Sequence, residues 1–181
     1  MAKRKNVALA KLVYSAMFLA LGILLPFLTA QIKPFGVALS PMHLPVILCG
    51  FICGPIWGMT VGAVTPLLRS VVFNAPALMP DAVTMVFELA TYAFIAGLLY
   101  NKLPKNIGYT YISLITAMVS GRFVWGLVRF ILIYMGKSLE EIGFELIWTK
   151  TVLETLPGIV VQLLLIPPII AVLKQNRLML N

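Results

Sequence analysis

The stretch Ser40–Ser70, SPMHLPVILCGFICGPIWGMTVGAVTPLLRS, determines how this chain folds. It is apolar enough for lipid, but prolines interrupt it and glycines recur at every fourth position: Gly50, Gly54, Gly58 and Gly62. Residues four apart share a helix face, and small residues let membrane helices approach closely, so these glycines predict tight helix packing. We interpret the stretch as two membrane segments folded back to back about Gly54-Pro55, with His43 near one end and Arg69 near the other.

The composition is that of an integral membrane protein. Of the 181 residues, 61% are hydrophobic and 11% are charged, whereas about a quarter of a soluble domain is charged. The length predicts a single domain, residues 1–181. The net charge of +8 would suggest nucleic-acid binding in a soluble protein, but basic cytoplasmic loops explain it in a membrane protein. Cys49 and Cys53 are expected to be packing residues, because two thiols are too few for a metal site.

Apolar runs separated by prolines and charged turns predict an all-α bundle of six transmembrane helices. The predicted helices have the approximate bounds 7–28, 40–53, 56–73, 82–100, 109–134 and 146–173. The second is shorter than the roughly 20 residues that a spanning helix needs. We expect Pro157 to kink the sixth helix and Pro167-Pro168 to disrupt its last turns.

The basic residues predict how the bundle is oriented. With six helices both termini share one side, which holds eight basic residues: Lys3, Arg4, Lys5, Lys11, Lys102, Lys105, Lys174 and Arg177. The other side holds three: Lys33, Lys137 and Lys150. Because basic residues are enriched in cytoplasmic loops, this imbalance predicts that both termini are cytoplasmic.

Charged residues at membrane depth are costly and mark functional sites. On this topology most of them lie, with His43, in the outer half of the membrane, which predicts a pocket that opens outward. Uncharged polar and aromatic residues lie three or four positions from these charges, on the same faces of the predicted helices. Such a combination is typical of small-molecule sites. The substrate-binding candidates are Arg129, Glu88, Arg122, Glu154, Trp125, Thr84, Tyr92, Gln162, His43 and Arg69.

These charges have an alternative interpretation as internal ion pairs, such as Arg129 with Glu154 or Arg122 with Glu88. Three arginines face two glutamates, which leaves one buried cation unpaired at a considerable cost. An anionic ligand would complete the set, and the guanidinium group suits a carboxylate. The count favours an acidic substrate, while the glutamates, if free to accept, would suit a base-like or amine-bearing ligand.

No catalytic pattern is evident. Glu140-Glu141 lacks the following arginine and the second histidine of a glutamate-type intramembrane protease, and Asp81 is the single aspartate. Gly136-Lys137-Ser138 resembles the end of a phosphate-binding loop, but Ile131 stands where the motif needs glycine. The chain is therefore predicted to be a passive carrier or one subunit of a powered transporter, with neither an enzyme site nor an ATP site of its own.

The sequence resembles the substrate-binding S components of energy-coupling factor (ECF) vitamin transporters over essentially its whole length. The resemblance rests on the six-helix size, on Ala16-Met17-Phe18-Leu19-Ala20 after a basic N-terminus, and on the long connection 29–39. The segments most specific to this family are MHLPVILCGFICGPIWGMTVGAVTPLLRS and the later FELATYAFIAGLLY.

The resemblance implies a role in the cell membrane of a prokaryote. The AxxxA face of the first helix, Ala16 and Ala20, would dock on a transmembrane T subunit, and two partner ATPases would supply the energy, so no cofactor is expected in this chain. The vitamin would bind near the outer surface between the first loop and helices four to six. Pantothenate is the first candidate, and pyridoxine-like, riboflavin-like and nucleobase- or queuosine-type ligands stay open. The alternative from another class is a non-transport membrane protein whose glycine face packs a partner helix.

Overall fold

The chain is all-helical in the part that the computed structural model describes, residues 2–30, 41–136, 156–176 and 178–181. We number the helices α1 to α6 in chain order. Their bounds are Ala2–Ala30, His43–Cys53, Pro55–Phe73, Val83–Lys102, Ile107–Gly136 and Leu156–Gln175. A short π-helical turn, Leu78–Ala82, leads into α4 and contains an extended residue, Met79.

Five of these helices are long and apolar enough to cross a membrane: α1, α3, α4 together with its π-helical turn, α5 and α6. The sixth, α2, has 11 residues and is about 16 Å long, roughly half of a bilayer's hydrocarbon core. Ten of its residues, from His43 to Cys53, are buried. Because its neighbours surround it, α2 forms the centre of the bundle and is not a lipid-facing span of full length.

The turn between α2 and α3 requires glycine. Gly54 has φ +104°, a backbone conformation that side chains disfavour. Its amide donates to the Gly50 carbonyl at 3.1 Å and closes the last turn of α2. Pro55 then opens α3, where its fixed φ suits the first helical position and its missing N–H costs nothing.

The other glycines of the stretch lie between helices. A Cβ on Gly58 would be 2.5 Å from the Gly50 Cα, which leaves no room for a methyl group between α2 and α3. A Cβ on Gly62 would be 2.6 Å from the Leu89 carbonyl oxygen on α4. Gly50 lies against the Ala93 backbone in the same way. Gly54 differs from this group, because it forms the turn.

Contacts between neighbouring helices define the two ends of the bundle. Gly58 meets Ala93 and Gly62 meets Leu89, so α3 and α4 are antiparallel. We call the end at the α2–α3 turn the Gly54 end, and the opposite end, where α2 begins and α3 finishes, the His43 end. α1 finishes at the His43 end, where the Phe27 ring packs edge-on against Phe73 with centroids 4.8 Å apart.

Some helix bounds differ from the predicted ones. α1 begins at Ala2, earlier than the predicted residue 7, and α6 is described from Leu156, so the predicted residues 146–155 lie outside the described part. The expected disruption at Pro167-Pro168 was wrong, because α6 continues through both prolines to Gln175. α1 and α3 likewise contain an interior proline each, Pro26 and Pro66. Packing and local adjustment let membrane helices tolerate such breaks in the hydrogen-bond ladder.

Candidate functional site

A buried carboxylate lies at the centre of the polar residues in the membrane helices. Glu88 on α4 is 2% exposed. Its Oε1 accepts a hydrogen bond from the Tyr92 hydroxyl at 2.8 Å and lies 3.0 Å from Nη1 of Arg122. Nε2 of His43 lies 3.8 Å from the same oxygen. Three helices therefore bring four of the predicted site residues together, and we call them the Glu88 cluster: His43, Glu88, Tyr92 and Arg122.

The sequence explains why these four side chains meet. Glu88 and Tyr92 are four residues apart on α4, so they share one face of that helix. Gly121 precedes Arg122 and lets α5 approach closely, because a Cβ there would collide with the Tyr92 ring. The Tyr92 ring also packs against His43, the first residue of α2, with centroids 5.5 Å apart.

Several buried polar atoms of His43, Arg122 and Gln162 have no hydrogen-bond partner among the described residues. They are both ring nitrogens of His43, Nε of Arg122 and Oε1 of Gln162. Gln162 is 3% exposed and lies on α6, one turn after the buried Gly158. Buried polar groups are normally paired because an unpaired one loses its hydration without compensation. These atoms give the predicted site residues hydrogen-bonding capacity beyond what their internal pairs use.

A second ion pair lies closer to the His43 end. Nη1 of Arg129 on α5 donates to Oδ1 of Asp81 at 2.6 Å, and its guanidinium lies over the Trp125 ring at 5.9 Å from the centroid. The predicted bounds left Asp81 one residue before the fourth helix, and Glu154 was offered as the partner of Arg129. The π-helical turn instead brings Asp81 to α5, while Glu154 lies outside the described residues.

The revised pairing changes the charge count. Arg122 and Arg129 each have a carboxylate partner. Arg69 on α3 has no carboxylate partner within the described part of the chain. Its guanidinium lies 5.6 Å from the Phe27 ring centroid, and its buried Nε has no hydrogen-bond partner there.

Thr84 is occupied by the local backbone. It is 1% exposed, and its hydroxyl donates to the Asp81 carbonyl at 2.8 Å, which ties the first turn of α4 to the π-helical turn. Its observed role is to hold Asp81 in position. Nothing in the spacing of the sequence distinguishes a hydroxyl that turns back to its own helix from one that faces a ligand.

The small residues of α1 lie on the outside of the bundle. Ala16 and Ala20 are both exposed, and so are the neighbouring Leu12, Val13 and Leu24. Among residues 6–27 of this helix only Ser15, Gly22 and Pro26 are buried. The AxxxA pair is therefore available to another membrane helix.

A comparison with protein families identifies the chain. The family model for the substrate-specific component of ECF transporters matches residues 10–170. The chain belongs to this family. It is the S component of an ECF transporter, a multi-pass membrane protein that has a small-molecule substrate and works with T and ATPase partners. Searches of curated proteins and of solved structures gave no match.

Two features of this S component were missed from its sequence. Its spacing of seven residues from Glu88 had put Asp81 on the same helix face, but Asp81 was not counted among the membrane charges. Gly121 was not selected either, although it allows Tyr92 and Arg122 to meet on either side of Glu88. A lone glycine carries no signal until the neighbouring helix face is known.

Proposed function

We propose that this S component binds a small vitamin at the His43 end of its bundle and delivers it to a T subunit powered by two ATPases. The main support for this proposal is the Glu88 cluster, where His43, Tyr92 and Arg122 surround a fully buried carboxylate in a bundle of apolar helices. Ionisable groups inside a membrane are expensive, and function is the usual reason they are present.

We place both termini in the cytoplasm and the His43 end outside, in the cell membrane of a prokaryote. Lys102, Lys105 and Lys174 all lie at the Gly54 end, and Lys11 lies beside Gly54 itself. Asp81 lies at the other end. Basic residues favour the cytoplasmic side, so the proposed site opens outward.

For the substrate we propose pantothenate as the first candidate. The earlier count of three arginines is weaker support, since two of them have carboxylate partners, and the preference for an acid now depends on Arg69. Its guanidinium suits a carboxylate. The ring nitrogens of His43 and Oε1 of Gln162 suit the hydroxyl and amide groups of such a molecule. Pyridoxine-like, riboflavin-like and nucleobase- or queuosine-type ligands are the alternatives.

A binding panel on the purified protein tests both the site and the ligand class. Equilibrium dissociation constants for these vitamins would be measured for the wild type and for Arg69→Gln, Arg122→Gln and Thr60→Val. Thr60 is a matched control because it is exposed and bonds only its own helix, at Ile56. Losing a charged hydrogen bond weakens binding about tenfold or more.

The variants separate the two parts of the proposal. Arg122→Gln is expected to weaken binding of the vitamin whatever its class. Arg69→Gln is expected to weaken binding of carboxylate-bearing ligands alone. Thr60→Val should bind as the wild type does. Unchanged affinity in Arg122→Gln, with the fold intact, would contradict the site. A ligand without a carboxylate that binds tightest would contradict pantothenate and leave the site standing.

The docking role concerns α1. We propose that Ala16 and Ala20 form the contact with the T subunit, because both are exposed and lie four residues apart on one face of α1. Small residues four apart let a partner helix approach to backbone contact. Co-purification of a T subunit and two ATPases with the tagged chain is the expected result. A partner helix in their absence would favour a non-transport packing role.

A further inference from the structure

A cleft lies at the Gly54 end, far along the helices from the Glu88 cluster. It is formed by the end of α4, the start of α5 and the last turns of α6, and its volume is about 460 Å³. Its walls are partly apolar, with Ile107, Pro167 and Ile170, while Lys105 and Lys174 add positive charge. No acidic residue lines it within the described part of the chain. The cleft therefore suits a ligand that has both an anionic group and an apolar part.

A buried tyrosine provides the second observation. Tyr100 lines the cleft and is 2% exposed, and its hydroxyl has no hydrogen-bond partner among the described residues. Its ring is fixed by Phe51, at 5.3 Å between centroids in an edge-on arrangement. A buried tyrosine hydroxyl usually finds a partner. A ligand oxygen in the cleft would supply one.

Two ammonium groups lie at the same cleft, on Lys105 and Lys174. Lys105 Nζ lies 5.3 Å from the centroid of the Tyr100 ring and donates to the Asn181 backbone oxygen at 2.8 Å. Lys174 Nζ donates to the Lys105 carbonyl, which draws the end of α6 to the start of α5. An ammonium has three N–H donors, and these bonds use one on each lysine. Both side chains are thus anchored while they keep donors for a ligand.

The start of α5 adds to the positive character of the cleft. Asn106 and Ile107 both line it, and α5 begins at Ile107. The first amides of a helix have no partners within that helix, and they carry a partial positive charge. A phosphate in the cleft would have the start of α5, the ammonium groups of Lys105 and Lys174, and Tyr100 among the groups that line it.

We propose that this cleft binds the phosphate headgroup of an anionic phospholipid. The apolar walls favour a lipid over a soluble phosphate compound, and Ile107, which is 58% exposed, extends the apolar surface out of the cleft. The cleft also lies where three helices that are long and apolar enough to cross a membrane begin or end, which is where lipid headgroups are expected. Basic pockets between membrane helices are known to bind anionic headgroups. The site is separate from the proposed vitamin site, at the opposite end of the bundle.

Native mass spectrometry of the full chain, exchanged into detergent with defined lipid, tests this site. Retention of phosphatidylglycerol would be compared with that of phosphatidylcholine for the wild type and for Tyr100→Phe, Lys174→Gln and Lys102→Gln. Tyr100→Phe removes only the hydroxyl. Lys102→Gln is the matched control, since it removes one lysine from the same end of the bundle without touching the lining of the cleft.

The wild type is expected to retain phosphatidylglycerol in preference to phosphatidylcholine. Lys174→Gln should weaken that retention about tenfold, which corresponds to the loss of one charged hydrogen bond, and Tyr100→Phe should weaken it by a smaller factor. Lys102→Gln should retain lipid as the wild type does. Equal retention of both lipids would overturn the proposal, and so would equal losses in Lys174→Gln and Lys102→Gln. Glycerol phosphate that binds as tightly as the lipid would overturn the assignment to a lipid.

Discussion

The contact between Gly62 on α3 and the backbone of α4 leaves no room for a methyl group. In Gly62→Ala the new Cβ would lie 2.6 Å from the Leu89 carbonyl oxygen, 2.7 Å from the Leu89 carbonyl carbon and 2.8 Å from the Ala90 nitrogen. All three atoms belong to helix backbone, which cannot rotate away as a side chain can. The helices must therefore separate by about 1 Å, and overpacking of this kind costs roughly 1–3 kcal/mol.

The matched control is Gly126→Ala on α5, where a Cβ would meet no heavy atom within 4 Å. Alanine is the better helix former by about 1 kcal/mol, so this variant should be as stable as the wild type or more so. Gly62→Ala should lower the thermal midpoint by about 2–12 °C, from the usual shift of about 2–4 °C per kcal/mol in a chain of this size.

The two cysteines provide the assay for this prediction. Cys49 and Cys53 are the only cysteines in the chain, and both are fully buried in α2. A thiol-reactive fluorophore therefore reports unfolding of the bundle as temperature rises. Equal midpoints for Gly62→Ala and the wild type would refute the packing argument, and so would a loss of the same size in Gly126→Ala.

Three further predictions concern single contacts. Glu88→Gln should lower the thermal midpoint more than Tyr92→Phe does, because it leaves Arg122 without its charge partner, which costs about 3 kcal/mol. The double variant Glu88→Gln with Arg122→Gln should lose less stability than the two single variants lose together. Full additivity of the two losses would contradict the ion pair. Gly54→Ala should destabilise the chain by about 1–3 kcal/mol because of its positive φ, measured by the same thiol assay, and a midpoint equal to that of the wild type would count against the turn geometry. Ala20→Trp should leave vitamin binding unchanged and abolish uptake in cells, whereas Val119→Trp on the exposed face of α5 should support both; uptake at the wild-type rate in Ala20→Trp would remove the docking role.

The α2–α3 hairpin could be predicted because its information is local. Gly54-Pro55 combines a residue that tolerates positive φ with one that starts helices, and the structure has φ +104° at Gly54 followed by a helix at Pro55. The four-residue period of the glycines also shows which face of each helix has small residues and can pack closely against another helix. Neither property depends on knowing where the other helices lie.

The partners of the membrane charges could not be predicted in the same way. Spacing along α4 places Glu88 and Tyr92 on one face, but it does not show which neighbour that face meets. The pair between Arg129 and Asp81 joins residues 48 positions apart through a π-helical turn. The prolines around Asp81 made that segment resemble an external loop. Tertiary packing decides which arginine pairs with which carboxylate, so these ion pairs could not be chosen before the positions of the helices were known.

The proline-rich end of α6 illustrates a different limit. In water, Pro167-Pro168 would be expected to end a helix, since both lack the N–H that the ladder requires. Here α6 continues to Gln175, and Pro167 and Ile170 both lie buried in the bundle. Packing against neighbouring helices outweighs the local preference, and the same turns form one wall of the cleft at the Gly54 end.

The central claim is that the buried Glu88 cluster belongs to the site that binds the vitamin. The most direct measurement is quantitative mass spectrometry of the small molecule that co-purifies with the wild type and with Tyr92→Phe and Glu88→Gln, each checked for folding by the thiol assay. Thr91→Val on the same helix is the control, since its hydroxyl bonds only the Phe87 carbonyl. We predict one vitamin at near-stoichiometric amounts in the wild type and Thr91→Val, and about tenfold less in Glu88→Gln. Equal amounts in folded wild type and Glu88→Gln would contradict the account.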